Sequence, residues 1–234
     1  LAEVGVFVAG SRPEARPCIA SFEARGLEEG RAIPGGEGRR LAGCGSSWGE
    51  QDLRIVDPLT GRERSPGDVG EVWVRGPHVG EGYWNQPEQT ERTFRARLAD
   101  GEGPFLRTGD LGFLQGEELF FTGRLKESLV LRGRTVAPHD VEATLERNPR
   151  VRRSCAAAFC VDLGDREELV VAAEVRDAPG EALDAEALCG ELLHAVVEEH
   201  GLPVHAVVLL EPGQLPRTTS GKTRRLACRV LFEL

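Results

Sequence analysis

Apolar and polar positions alternate along Gly70-Glu71-Val72-Trp73-Val74-Arg75-Gly76, with glycine at both ends. That two-residue period predicts a half-buried strand. Apolar runs at Val4–Ala9 and Leu53–Val56 predict two more strands, the second closed by the Asp57-Pro58 turn. Between them the chain has little period. Ser11–Pro17 reads as a loop, and Glu28-Glu29-Gly30 and Pro34-Gly35-Gly36 read as turns. Thr90, Phe94 and Leu98 lie four apart behind Pro87, which predicts a helix over 87–99 opened by proline in its first turn. Glu118–Gly123 and Ser128–Arg132 read as strands around a Gly-Arg-Leu-Lys connection.

Pro138–Asn148 carries Val141 and Leu145 four apart and stops at Pro149, so a helix is expected there. Ala156–Val161 and Leu169–Val175 follow as strands. Ala185, Leu188, Cys189, Leu192 and Val196 then form the stripe of an amphipathic helix, with Gly201 in the place of its C-terminal cap. His194 falls off that stripe and is expected in solvent. Val204–Leu210 is a last strand, followed by a Gly/Pro/Thr/Ser loop and a short basic stretch. The pattern as a whole predicts an α+β chain. A small twisted β-sheet or distorted β-barrel occupies residues 1–123, and a mixed α+β domain occupies 124–234.

The composition narrows the functional classes. The chain has 234 residues, 40% hydrophobic and 29% charged, which fits one large or two small globular domains. No run approaches the ~20 apolar residues of a bilayer span, so no membrane insertion is expected. The 38 acidic residues outnumber the 29 basic ones, for a formal net charge of -9. Nucleic acid is disfavoured as a partner: Arg217, Arg224, Arg225 and Arg229 have no aromatic platform beside them. Six cysteines without a CxxC pair suit free thiols in a reducing, cytoplasmic location. There is no Met and the chain opens on Leu1, so a piece of a longer protein is expected. Only two of the basic residues are lysines, Lys126 and Lys222, which marks the places that use a compact ammonium instead of a planar fork.

Three segments could carry chemistry. In Pro216-Arg217-Thr218-Thr219-Ser220-Gly221-Lys222 the position where a phosphate-cradling loop needs its first glycine is Pro216, which has no N–H to offer. What remains is a flexible, hydroxyl-rich loop presenting one ammonium, or simply a solvated surface lysine. Leu106-Arg107-Thr108-Gly109-Asp110 places a carboxylate at a tight turn, able to accept hydrogen bonds from vicinal hydroxyls such as those of a ribose, or serving only as a turn aspartate. Gly123-Arg124-Leu125-Lys126-Glu127 offers the Arg124 fork and puts Lys126 at the expected domain joint, or is a hairpin whose charges face water.

Taken together in this order, the segments resemble the adenylate-forming superfamily of acyl-CoA synthetases, luciferases and peptide-synthetase adenylation domains. Leu1-Ala2-Glu3 resembles the end of that family's Tyr-Gly-x-x-Glu motif, and Gly70–Val74 with Gly82-Tyr83-Trp84 resembles its next core motif. Arg107–Asp110 is similar to the ribose motif, Gly123–Glu142 to the hinge motif, and Pro216–Lys222 to the C-terminal lysine motif. Within the superfamily the chain resembles fatty acyl-AMP ligases most, through the Leu-Ala-Glu start, an extra segment near 12–40, and the wording of Gly103–Phe113.

The resemblance implies a two-step reaction. A fatty acid attacks ATP to give acyl-AMP and pyrophosphate, and the acyl group then passes to the phosphopantetheine thiol of an acyl carrier protein. It implies that Lys222 is catalytic, that Asp110 and Arg124 bind the nucleotide, and that Glu3 holds Mg²⁺. Lys126 would be the hinge and Gly133 would line the pantetheine path. Residues 1–123 would be the trailing part of the large adenylation domain, and 124–234 the mobile lid. The phosphate loop and acyl pocket of the family lie outside this sequence, so the chain alone is expected to be inactive. A non-catalytic carrier-docking module and an acyl-CoA synthetase are the alternatives.

Overall fold

The computed structural model describes residues 2–5, 7–36, 38–131, 134–164, 166–176 and 183–234. It divides into two units, 1–126 and 127–234.

The first unit is built on an antiparallel meander of β3 (Asp52–Val56), β4 (Gly70–Arg75), β5 (Leu106–Gln115) and β6 (Glu118–Arg124). A second, two-stranded sheet pairs β1 (Ile19–Phe22) with β2 (Arg39–Ala42). The two sheets do not close into a barrel, so the open twisted sheet describes this unit. Strand β4 is buried on both faces, not one. Val72 and Val74 pack with Val4, Ile55, Phe94, Leu106 and Leu119, while Trp73 on the other face packs with Val56, Leu98 and Phe105. Phe22, Phe113 and Phe120 join the small sheet to the large one, with the last two rings stacked 5.2 Å apart.

Three expectations change here. The described residues of the expected strand Val4–Ala9 form none: Val4 ends a short 3-10 turn (Ala2–Val4), and Gly5 leaves it at φ +60°. The segment that lacked period holds β1, a short helix α1 (Ala24–Glu28) and β2, each too brief to imprint a repeat. Helix α2 ends at Phe94 (Pro87–Phe94), because Ala96 pairs with Phe105 instead. Leu98 is still buried, but lies beyond the helix, where its N–H donates to the Glu102 carbonyl at 2.9 Å.

The second unit has a three-stranded sheet in the order β11-β10-β9. Strands β9 (Val151–Asp162) and β10 (Glu167–Val175) run antiparallel, and β11 (Val204–Leu210) runs parallel to β10. A parallel neighbour requires a crossover, which helix α4 (Ala185–His200) supplies. Asp184 caps that helix by accepting the Ala187 amide at 3.0 Å, and Gly201 ends it in the left-handed region at φ +61°. Leu188, Leu192 and Val196 face the sheet and pack with Leu169, Val171 and helix α3 (Pro138–Leu145), while His194 lies in solvent. A small hairpin, β7 (Leu129–Leu131) with β8 (Arg134–Val136), precedes α3. The terminal basic stretch is a helix, α5 (Arg225–Phe232). It is seated on β9 by buried Cys228 and by Phe232, whose ring meets Phe159 edge-on at 6.1 Å. Among the described residues no helix is long and apolar enough to cross a membrane.

Candidate functional site

Asp110 lies within strand β5, not at a turn. Gly109 before it holds φ +71°, and the β4–β5 pairing slips register between Glu71 and Trp73. A Cβ on Gly109 would meet nothing within 4 Å. The constraint at that position is therefore its left-handed backbone and not space. Thr108 completes the distortion: its hydroxyl donates to the Val72 carbonyl at 2.7 Å and accepts the Asp110 amide at 3.0 Å. Asp110 then stands opposite Arg124 in the β5–β6 ladder, with Nε 3.1 Å from Oδ1. The pair places a carboxylate and a guanidinium side by side, a combination that can both accept from and donate to a vicinal diol.

The distortion around Gly109 is held from beneath by Glu71, which the sequence pattern did not single out. Its side chain is 2% exposed. Oε2 accepts Trp73 Nε1 at 3.0 Å and Arg107 Nε at 2.9 Å, and Oε1 accepts the Gly109 amide at 3.1 Å. Arg107 also lies over the Trp73 ring, 5.5 Å from its centroid. A buried carboxylate is tolerated only when paired in this way. The one signal in the sequence is an acid inside an otherwise apolar strand.

Glu3, in the opening 3-10 turn, accepts a hydrogen bond from the Tyr83 hydroxyl at 2.8 Å. The Tyr83 ring stacks edge-on against Phe94 at 5.0 Å. Burial, and then the Glu3 carboxylate, push the Tyr83 phenol up to about 12, which keeps it a donor at neutral pH. Among the described residues no group of three or more His, Cys, Asp or Glu side chains could hold a metal ion. Glu3 therefore offers a single carboxylate, which suits an ion that takes most of its oxygens from substrate phosphates and water.

In the second unit Lys222 is exposed at the tip of the loop between β11 and α5. The loop bonds to itself. Thr218 N–H donates to the Lys222 carbonyl at 2.9 Å, Gly221 N–H to the Thr218 carbonyl at 2.9 Å, and Lys222 N–H to the Thr218 hydroxyl at 3.0 Å. Arg217 pairs with Thr223 as an isolated bridge and donates to the Ser154 carbonyl of β9. The three amides of Thr218, Gly221 and Lys222 are engaged within the loop.

Both ends of the loop are fixed by buried glutamates. At the entrance Glu174 of β10, 2% exposed, accepts the amides of Gly213 and Leu215, each at 2.9 Å, on Oε1 and Arg152 at 2.6 Å on Oε2. Burial raises the Glu174 pKa, but the Leu215 and Gly213 amides and the Cys155 and Arg152 side chains outweigh it, so the carboxyl ends below its ordinary value. At the exit Arg225 forks onto Glu142 of α3, with Nε and Nη2 each 2.7 Å from a carboxylate oxygen. Its Nη1 donates to Glu127. Glu142 also accepts the Ala158 amide of β9 at 3.1 Å.

The structure thus brings Asp110 and Arg124 together in the first unit and presents Lys222 from the second. Lys126 is the last residue of the first unit. Gly133 lies outside the described residues.

Three comparisons bear on this arrangement. The model of the AMP-binding enzyme family matches residues 15–84. A medium-chain fatty acid–[acyl-carrier-protein] ligase, JamA of Moorena producens, is 40% identical over 99% of this chain and 40% of its own length. A long-chain fatty acid–AMP ligase, FadD23 of Mycobacterium tuberculosis, is 39% identical over 99% of this chain and 40% of its own. A solved structure from a study of fatty acyl-adenylate ligases of E. coli and L. pneumophila superposes with a TM-score of 0.82 at 28% identity, covering 99% of this chain and 40% of the other. The chain spans about two-fifths of the length of these relatives.

Proposed function

We propose that this chain, which belongs to the adenylate-forming enzymes and corresponds to their C-terminal part, completes a fatty acyl-AMP ligase. The reaction is activation of a fatty acid with ATP, followed by transfer of the acyl group to the phosphopantetheine thiol of an acyl carrier protein. In the first half a carboxylate oxygen attacks the α-phosphorus of ATP; an O–P bond forms and pyrophosphate leaves. Lys222 neutralises the negative charge that builds between carboxylate and α-phosphate, a task suited to a compact ammonium at a loop tip. Asp110 accepts from the ribose hydroxyls and Arg124 donates beside it. Glu3 would hold Mg²⁺, which would supply screening of the phosphate charge. Lys126 is the pivot between the half-reactions, and Gly133 is assigned to the pantetheine path.

The observation that carries this reading is the presentation of Lys222. It is the only lysine of residues 127–234, and it stands exposed at the tip of a loop that two buried glutamates fix. The choice of thiol rests on JamA, named for an acyl carrier protein. A relative named as a putative fatty-acid–CoA ligase, FadD21 of M. tuberculosis, is 38% identical and supports CoA as the alternative acceptor.

In the full-length protein, Lys222→Ala should cut acyl-AMP formation by about 10²–10³-fold, as loss of a charge-stabilising group does. Transfer from preformed acyl-AMP should stay within about twofold of the unaltered enzyme. Equal loss of both half-reactions would overturn the assignment, and supplying CoA or a carrier protein as sole acceptor decides the second step.

A further inference from the structure

The proposed reaction needs Lys222 at a defined place in one half-reaction, and the loop around it offers little freedom of its own. Its entrance is tied to Glu174 through two amides, and its exit is tied to Glu142 through both arms of the Arg225 fork. The third arm of that fork matters most. Arg225 Nη1 donates to Glu127, the first residue of the second unit, directly after Lys126. One guanidinium, 21% exposed, therefore bonds helix α3 and residue 127 from the first residue of α5, only three positions after Lys222.

From this geometry we infer that Arg225 and Glu127 are positioning residues for Lys222: they lock the lysine loop to the start of the second unit, so that Lys222 moves with residue 127. This rests on the reading of Lys222 as the catalytic residue. Arg225 need not touch substrate. A planar fork with three donors engaged at fixed angles holds a loop more rigidly than one ammonium can. Small displacements of a charge-stabilising group cost rate before they cost binding.

Glu127 is the informative position, because its removal leaves the Arg225–Glu142 fork and the packing of α3 intact. In the full-length enzyme, Glu127→Ala should lower kcat for acyl-AMP formation by about 10- to 100-fold, the size expected for one charge-assisted hydrogen bond that acts on position. KM for ATP should stay within about twofold. Arg225→Lys should show the same split, since a lysine cannot span Glu142 and Glu127 together. In a Lys222→Ala background, Glu127→Ala should add no further loss, because it acts only through Lys222. If Lys222→Ala leaves acyl-AMP formation unchanged, the underlying reading fails. If Lys222→Ala abolishes it while Glu127→Ala matches the unaltered enzyme, raises KM alone, or adds its full effect in the double variant, the positioning role alone fails.

Discussion

Replacing Glu174 separates two jobs that one side chain performs. Glu174→Gln keeps an oxygen where Oε1 accepts the Gly213 and Leu215 amides, but turns an N–H₂ toward Arg152, 2.6 Å away in the native pair. Arg152 is 40% exposed and can turn to water. The loss should therefore sit at the low end for a charged hydrogen bond, about 1–2 kcal/mol. Glu174→Ala also strands both amides. Gly213 is exposed and can bond water, at about 1 kcal/mol, while Leu215 is 3% exposed, so its amide bears a penalty of about 1–3 kcal/mol. The total for alanine is about 3–6 kcal/mol. At about 1.4 kcal/mol per factor of ten, amide exchange at Leu215 should accelerate about 10²- to 10⁴-fold in Glu174→Ala and about 5- to 30-fold in Glu174→Gln. Hydrogen exchange followed by NMR on the 234-residue chain reads this directly. The sign with pH follows from the lowered carboxyl pKa: the stabilisation is present above the ordinary value of 4.5 and is lost as pH falls through the folded-state value. Exchange at Leu215, corrected for its intrinsic pH dependence, should therefore rise on acidification in the native chain and stay level in Glu174→Gln. Equal protection of Leu215 in the alanine and glutamine variants would refute the claim that this carboxylate anchors the lysine loop.

In the first unit, Glu71→Ala leaves the Arg107 guanidinium and the Gly109 amide without their acceptor. It should lower stability by about 3–5 kcal/mol, the cost of breaking a buried ion pair, measured as the shift in the urea midpoint of that unit. Tyr83→Phe tests the contact with Glu3. With its phenol raised to about 12, the tyrosine contributes stability that is full below about pH 10 and lost as pH rises through 12. Urea midpoints between pH 9 and 12 should fall in the native chain and run flatter in Tyr83→Phe.

Elements with a sustained pattern are legible in the sequence: α4 by its stripe and its Gly201 cap, and β4 as a strand, though its continuous Val72-Trp73-Val74 run marks a strand buried on both faces and not an alternating one. Elements of four or five residues, β1, α1 and β2, are not, because a repeat needs length to show itself. Helix α5 does carry a helical period, with Leu226, Val230 and Leu231 on one face, but that face is exposed and its buried residue is Cys228. The side chains with chemistry at stake stand out by type and motif, whereas the glutamates that hold their loops do not. Glu71, Glu142 and Glu174 read as polar breaks in apolar patterns. Their burial depends on donors 36, 83 and 41 residues away, which no local pattern encodes. In the lysine loop, hydroxyls and glycine give no local period, and the bonds among Thr218, Gly221 and Lys222 emerge only from the folded backbone.

The passage from one unit to the other is shorter than the sequence suggests. The Leu125 amide still donates to Gly109 at 2.8 Å, which extends the last rung of the first sheet, and Glu127 is already in the grip of Arg225. A single residue, Lys126, separates these two anchorages.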